Sequence, residues 1–269
     1  MSRPSTPAAR PVPTAGVGPA VRSIDPLRPF AWLRLGYRDL LAAPAPSTLH
    51  GLLIALAGLT VLTLALRMWP LMPGALSGFL LIGPILATGL YELSRRRELG
   101  ERPRLAHAIG AWRRGTRPLV ALGLVLFGAA TAWVLFSAGL FKLFVRSPIG
   151  GPLDLLRYAV AEQGALLFWL WMTAGALGAA LVFALTAVSA PLLLDRRIGL
   201  RAALLASVRA VGDNPVPMAL WATIIMLGTA LSMATLMIGF VFVVPIIGHA
   251  TWHAYRELLD VEALPERSE

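Results

Sequence analysis

Cysteine is missing altogether from this chain, and charge is scarce, with 14% of its 269 residues being Asp, Glu, Lys or Arg. The first absence excludes disulfides, thiolate metal sites and cysteine nucleophiles. The second accompanies a 57% share of hydrophobic residues, whereas soluble domains are about 25% charged and about half apolar. Catalytic patterns are missing too. There is no phosphate-binding G-x-x-x-x-G-K-[ST], no G-x-S-x-G, no H-E-x-x-H and no dinucleotide fingerprint, and no nucleophile stands beside an activating base. The expectation is a protein that is not an enzyme, with no catalytic residue and no bound cofactor or metal.

Long uncharged tracts are what the chain has instead. Residues 47–66, 75–90, 119–140, 165–194 and 216–248 approach or exceed the ~20 residues that cross a ~30 Å hydrocarbon core. The last tract continues without charge to Tyr255. As one straight helix it would be about 60 Å long at 1.5 Å per residue, so it must turn, and "LSMATLMIG" at 231–239 is the expected place. The reading is an all-α polytopic membrane protein with six transmembrane helices, at about 47–66, 75–94, 118–140, 165–192, 215–232 and 236–256. These make one membrane domain over 26–260. Residues 1–25, with five prolines and no apolar stretch, read as a disordered Pro/Ala-rich cytoplasmic tail rather than a signal peptide, and 261–269 as a cytoplasmic C-terminal tail.

Net charge is +10, and 23 of the 24 basic residues are arginine. They lie between the apolar tracts, so anionic lipid headgroups at the cytoplasmic face are the expected partners, with a membrane-protein partner open and nucleic acid excluded. Lysine and arginine near span ends are retained in the cytoplasm. With the N-terminus inside, six arginines fall in the N-terminal segment, eight in 95–117, four in 196–209 and two at the C-terminal end. Only Arg67, Lys142, Arg146 and Arg157 then fall outside. Both termini are therefore expected in the cytoplasm, in a bacterial inner membrane. The outer connection "GGPLDLLRYAVAEQG" at 150–164 has the spacing of a surface amphipathic helix.

Self-comparison finds an internal repeat. "GFLLIGPILATGLYELSR" from Gly78 aligns with "GFVFVVPIIGHATWHAYR" from Gly239, and "LTAVSAPLLLDRR" carries Pro191 in the same place. Upstream of each pair of spans is a short segment ending in proline, at 31–46, 105–118 and 200–215. Three copies are expected of one unit: an interfacial amphipathic helix, an outward span and a proline-bearing inward span. In "LRAALLASVRAV" the stripe Leu200, Leu204, Leu205 and Val208 is expected to be apolar, with Arg201 and Arg209 free to meet headgroups. Pro84, Pro191 and Pro245 are the expected helix kinks, with Thr88, Thr186 and Ser189 near enough to satisfy freed carbonyls.

Polar residues inside spans are functional candidates. The repeat places Glu92, Asp195, His249 and His253 toward one mouth of the bundle, with Arg95, Arg196 and Arg256 nearby. That cluster suits a proton or anion path. "HATWH" at 249–253 also offers imidazole for haem or metal, and an ion-pair network that fixes helix ends needs the same residues. "RRRELGERPR" at 95–104 reads as a lipid-facing or stop-transfer cluster.

The stretches "FAWLRLGYRDLLAAPAPSTLHGL" and "SGFLLIGPILATGLYELSRRRELGERPRLAHA" resemble a bacterial family of predicted integral membrane proteins defined by a domain of unknown function. The matching residues are Trp32, Leu33, Gly36, Tyr37 and Asp39 in the first and Gly78 through Glu101 in the second. The resemblance extends over most of 25–260. It implies a helical membrane fold and no established activity. Three readings stay open: a transport or channel-like role through a kinked helix bundle, an accessory or assembly factor for another membrane complex such as a respiratory one, and haem or metal binding through His249 and His253.

Overall fold

Proline sets the joints of this fold. In the computed structural model, which describes residues 18–68, 71–113, 117–145, 154 and 162–267, helix α1 (Arg28–Ala42) meets α2 (Pro44–Ala65) at Ala43. The third short helix, α10 (Leu200–Asp213), meets α11 (Pro215–Ala234) at Asn214 in the same way. A residue before proline is pushed out of helical geometry. Accordingly Ala43 has φ −137° and ψ 60°, and Asn214 has φ −129° and ψ 56°. Each proline then opens the following helix, where its missing N–H costs nothing.

Between these joints lie α3 (Met72–Leu81), α4 (Gly83–Leu86), α5 (Thr88–Glu98), α6 (Leu105–Arg113), α7 (Arg117–Phe144), α8 (Glu162–Thr186) and α9 (Ser189–Asp195), and α12 (Phe240–Leu258) follows α11. Among the described residues the fold is all-α apart from one two-stranded ladder and an isolated bridge between Arg196 and Glu266. In the ladder β1 (Ala20–Val21) pairs antiparallel with β2 (Leu259–Asp260), with Ala20 opposite Asp260.

Among the described residues four helical stretches are long and apolar enough to cross a membrane: Pro44–Ala65, Arg117–Phe144, Ala165–Asp195 and Pro215–Ala234. Only 22–50% of their apolar windows is buried within the protein, which leaves Phe127, Leu135, Trp169, Leu177 and Leu231 facing outward. The expected second span is interrupted. Ile82 and Ala87 separate α3, α4 and α5, and Met72–Leu81 alone is too short to span.

The three proposed kinks differ. At Pro84 the helix is broken on both sides. Near Pro191 the break lies at 187–188, and Pro191 itself sits in the first turn of α9, where it is harmless. Through Pro245 helix α12 runs on unbroken. The turn expected within 231–239 is a helix end closed by bonds from Met237 N to Ser232 O (2.9 Å) and Leu236 N to Met233 O (3.0 Å). This is a Schellman closure.

Helix α12 is the axis of one half of the molecule. It is gripped by α1 and α2 and also packs on α5 and α11. The approach is close because α1 and α2 present glycines. A Cβ on Gly36 would collide with the Ile246 carbonyl and lie 2.7 Å from Ala250 N, and one on Gly51 would collide with the Val241 carbonyl. Val241 is the residue whose carbonyl Pro245 deprives of its helical partner, so α2 packs a bare Cα against it. Around this joint lies the core of Trp32, Leu90, Leu122, Val188, Trp221, Trp252 and Tyr255, with Trp32 edge-on to Trp221 at 5.7 Å.

Residues 18–25, expected within the tail, run against the body. Val21 and Ile24 pack on the core, Ile24 N donates to Asn214 Oδ1 (3.0 Å), and Asn214 Nδ2 donates to Arg22 O (3.0 Å). The C-terminal segment is tied down as well, with Arg197 N donating to Pro265 O (3.0 Å) and Arg267 N to Asp195 O (3.1 Å). Of the amphipathic segment expected at 150–164 only 154 and 162–164 are described, the last three as the start of α8, and the tail 1–17 lies outside the described residues. On α10 the expected apolar stripe divides, because small residues make the contact. Ala203, Ala206, Ser207 and Ala210 are buried, while Leu205 and Val208 are exposed on the side of Arg201 and Arg209.

Candidate functional site

The seven polar residues singled out from the sequence divide between two neighbouring networks, both served by α5. Successive turns of α5 send Glu92, Arg95 and Arg96 one way and Ser94 and Arg97 the other. The first network is an ion-pair belt. Glu92 is buried and pairs with Arg96 Nε at 2.7 Å and Arg95 Nη1 at 3.5 Å. Arg95 reaches across to Asp195 (3.4 Å), which also takes Arg196 Nε (2.9 Å), Arg256 Nη1 (3.8 Å) and the Tyr255 hydroxyl (2.6 Å). Arg256 closes the belt on Glu98 at 2.9 Å, where Trp252 Nε1 also donates (2.9 Å). The belt thereby joins the ends of α5, α9 and α12. Glu101 and Glu266 extend it outward through Arg96 and Arg196.

His249 and His253 belong to the second network, with partners outside the expected cluster. Asp39, near the end of α1, is buried and accepts from Ser94 Oγ (2.6 Å) and His253 Nε2 (2.9 Å) on Oδ2, while Arg97 pairs with Oδ1. Ser94 also meets His249 Nδ1 at 2.7 Å, and His249 Nε2 meets Ser47 Oγ at 2.9 Å. Ser47, Ser94 and His249 are shut off from solvent. The outer end is open, because Arg97 has 40% and His253 22% of its side chain exposed. A row of hydrogen bonds thus leads from the surface, through Asp39, Ser94 and His249, to Ser47 in the first turn of α2.

Burial alone would raise the pKa of Asp39. The hydrogen bonds from His253 and Ser94, with the charges of His253 and His249, outweigh it and hold the carboxyl below its ordinary value of 3.8. Asp39 is therefore an anion at neutral pH.

The broken second span lies against this row. Leu86 O has lost its helical partner, since Leu90 N turns to Ala87 O (2.9 Å), and His50 Nε2 from α2 donates to it instead at 2.6 Å. Gly89 makes room for that ring, as a Cβ there would stand 2.9 Å from His50 Cε1. Of the hydroxyls expected to serve freed carbonyls, Thr88 bonds Ile85 O (2.7 Å) and Thr186 bonds Val182 O (2.6 Å). Ser189 Oγ is buried with no partner among the described residues.

Ligation at His249 would require one of its two serine bonds to break. Among the described residues no group of three or more His, Asp or Glu is arranged to hold a metal ion.

The sequence reading missed Asp39, Ser94, Ser47, Arg97 and His50 as site residues. All five stood in stretches read for other reasons: Asp39 ends the Trp-Leu-x-x-Gly-aromatic-x-Asp pattern, Ser47 and His50 follow it, and Ser94 and Arg97 fall in the second motif. Residues 71–195 match a family model described as "Predicted integral membrane protein (DUF2189)", which is the family those motifs resemble. No curated protein and no solved structure matches the chain. The apolar helices and the family match together make this an integral membrane protein.

Proposed function

We propose that this membrane protein has a transport or channel-like role, carried through a bundle of six spans built from three repeats, in a bacterial inner membrane with both termini in the cytoplasm. The observation that carries the reading is the interrupted helix α3–α5 beside a buried polar row. Transporters place their sites where a spanning helix is broken and its backbone is satisfied by other groups, and buried acid and histidine chains in membranes mark ion pathways. His50 on Leu86 O, next to Ser47 and His249, has that character. The repeat is supported by the like joints at Ala43 and Asn214. The outward stripes of α1 (Leu27, Phe30, Arg34, Tyr37, Arg38, Leu41) and α10 (Arg201, Leu205, Val208, Arg209) suit helices lying on anionic headgroups.

The test is flux from vesicles holding the purified protein. Pyranine inside reports protons, and ion-selective electrodes outside report potassium and chloride. Flux of at least one above protein-free vesicles is expected, lowered several-fold by Pro84→Ala, which restores a backbone donor at the break. No flux of any of the three would overturn the reading.

A further inference from the structure

The tautomer of His249 follows from what its neighbours can donate. A carboxylate only accepts, so Ser94 gives its single hydroxyl proton to Asp39 Oδ2, 2.6 Å away. Ser94 Oγ can then only accept from His249 Nδ1, at 2.7 Å, and Nδ1 must carry a proton. In the neutral ring Nε2 is left as acceptor, and Ser47 donates to it at 2.9 Å. Every bond in the row points toward Asp39.

A second proton on the ring alters only the inner end. The titratable groups facing the imidazole are Asp39 from α1, His50 from α2 and His253 one turn along α12, its polar neighbours are Ser47 of α2 with Ser94 and the Leu90 carbonyl of α5, and Arg97 of α5 is paired to Asp39. Arg97 and His253 keep Asp39 anionic, so the added proton rests on the imidazole. The Nδ1 bond to Ser94 is unchanged, whereas Nε2 becomes a donor and Ser47 must turn from donor to acceptor. The Ser47 hydroxyl proton then has the carbonyl of Ala43, one turn back, as its acceptor.

We propose that Ser47, His249, Ser94 and Asp39 form a proton-binding site in which uptake of one proton from water by His249 reverses the hydrogen bond to Ser47. The step is a bare proton transfer to the Nε2 lone pair, with no covalent bond to carbon and no redox change. Ser47 stands one turn before His50, so the reversal acts beside the residue that holds the broken span. The inference rests on the transport reading for its use and names the ion concerned.

The experiment is nitrogen-15 NMR of the full chain, histidine-labelled, in lipid vesicles from about pH 8 to about pH 4, the range around histidine titration. The chain has four histidines, and the His249 signal is assigned by its loss in His249→Asn, or in the wild type by its through-space contacts to Ser47 and Ser94. At neutral pH, Nδ1 protonated and Nε2 bare is expected, with both protonated at the acid end. Ser94→Ala is expected to replace the single tautomer with a mixture. A ring carrying its neutral-pH proton on Nε2, or one that stays neutral throughout, overturns the proposal. The readout is nitrogen protonation, so absent flux sinks the transport reading without moving this result, and a failed titration sinks the proton site alone.

Discussion

Gly36 and Gly51 show how much of this protein hangs on single missing methyl groups. Both stand where α12 passes so close that a Cβ would meet backbone, which cannot swing aside as a flexible side chain does. Gly51→Ala is therefore expected to destabilise by about 1–3 kcal/mol, the usual cost of overpacking, or more where backbone must move. Thermal unfolding in detergent checks it, with Gly128→Ala, whose added Cβ meets open space, as the control whose midpoint does not fall. The displacement would also be felt at the hydrogen-bonded row, because Gly51 is one turn from Ser47 and adjacent to His50. At this scale the sequence was partly readable. Gly36 and Asp39 stood in a quoted pattern, but Ser47 and His249 are 202 positions apart, and no spacing rule connects residues that only folding brings together.

Among the elements, the joint between α11 and α12 has an unusual residue in its left-handed position. Leu236 has φ 51° and Met237 φ 71°, neither being glycine. Met237 is buried in the small cluster with Ala55 and Phe240, so its side chain has a packing role. Leu236 is 68% exposed and carries the left-handed penalty of roughly 1–2 kcal/mol without a core contact in exchange. Leu236→Gly is expected to raise stability by about 0.5–1 kcal/mol after glycine's own entropic loss, read as a higher unfolding midpoint; an unchanged or lower midpoint would show that the leucine has a role beyond the turn. The turn was legible because an uncharged tract of that length cannot cross once. The different fates of the three prolines were not. Pro84, Pro191 and Pro245 align in sequence, yet whether a helix breaks depends on what takes the freed carbonyl. At the first break His50 takes the Leu86 carbonyl left open at Ala87, downstream of Pro84 itself, whereas Gly51 lets α2 press against the third without breaking it.

For the whole molecule, the distribution of arginine predicts which face is inside, and the absence of cysteine makes the test clean. Arg67 and Arg102 are both exposed at opposite expected faces. In intact cells an impermeant maleimide is expected to label Arg67→Cys and to reach Arg102→Cys only after lysis; the reverse pattern would invert the topology. Helix α1 packs chiefly on α12, and β1 pairs with β2. Helix α1 thus finds its main partner only when α12 has been made. Such long-range closure is slow, and until it happens Trp32, Asp39 and Ser47 lack Glu257, His253 and His249. A ribosome pausing before residue 240 leaves α1 without its main packing partner. Quality control that senses exposed polar groups would therefore read the docking of α1 on α12.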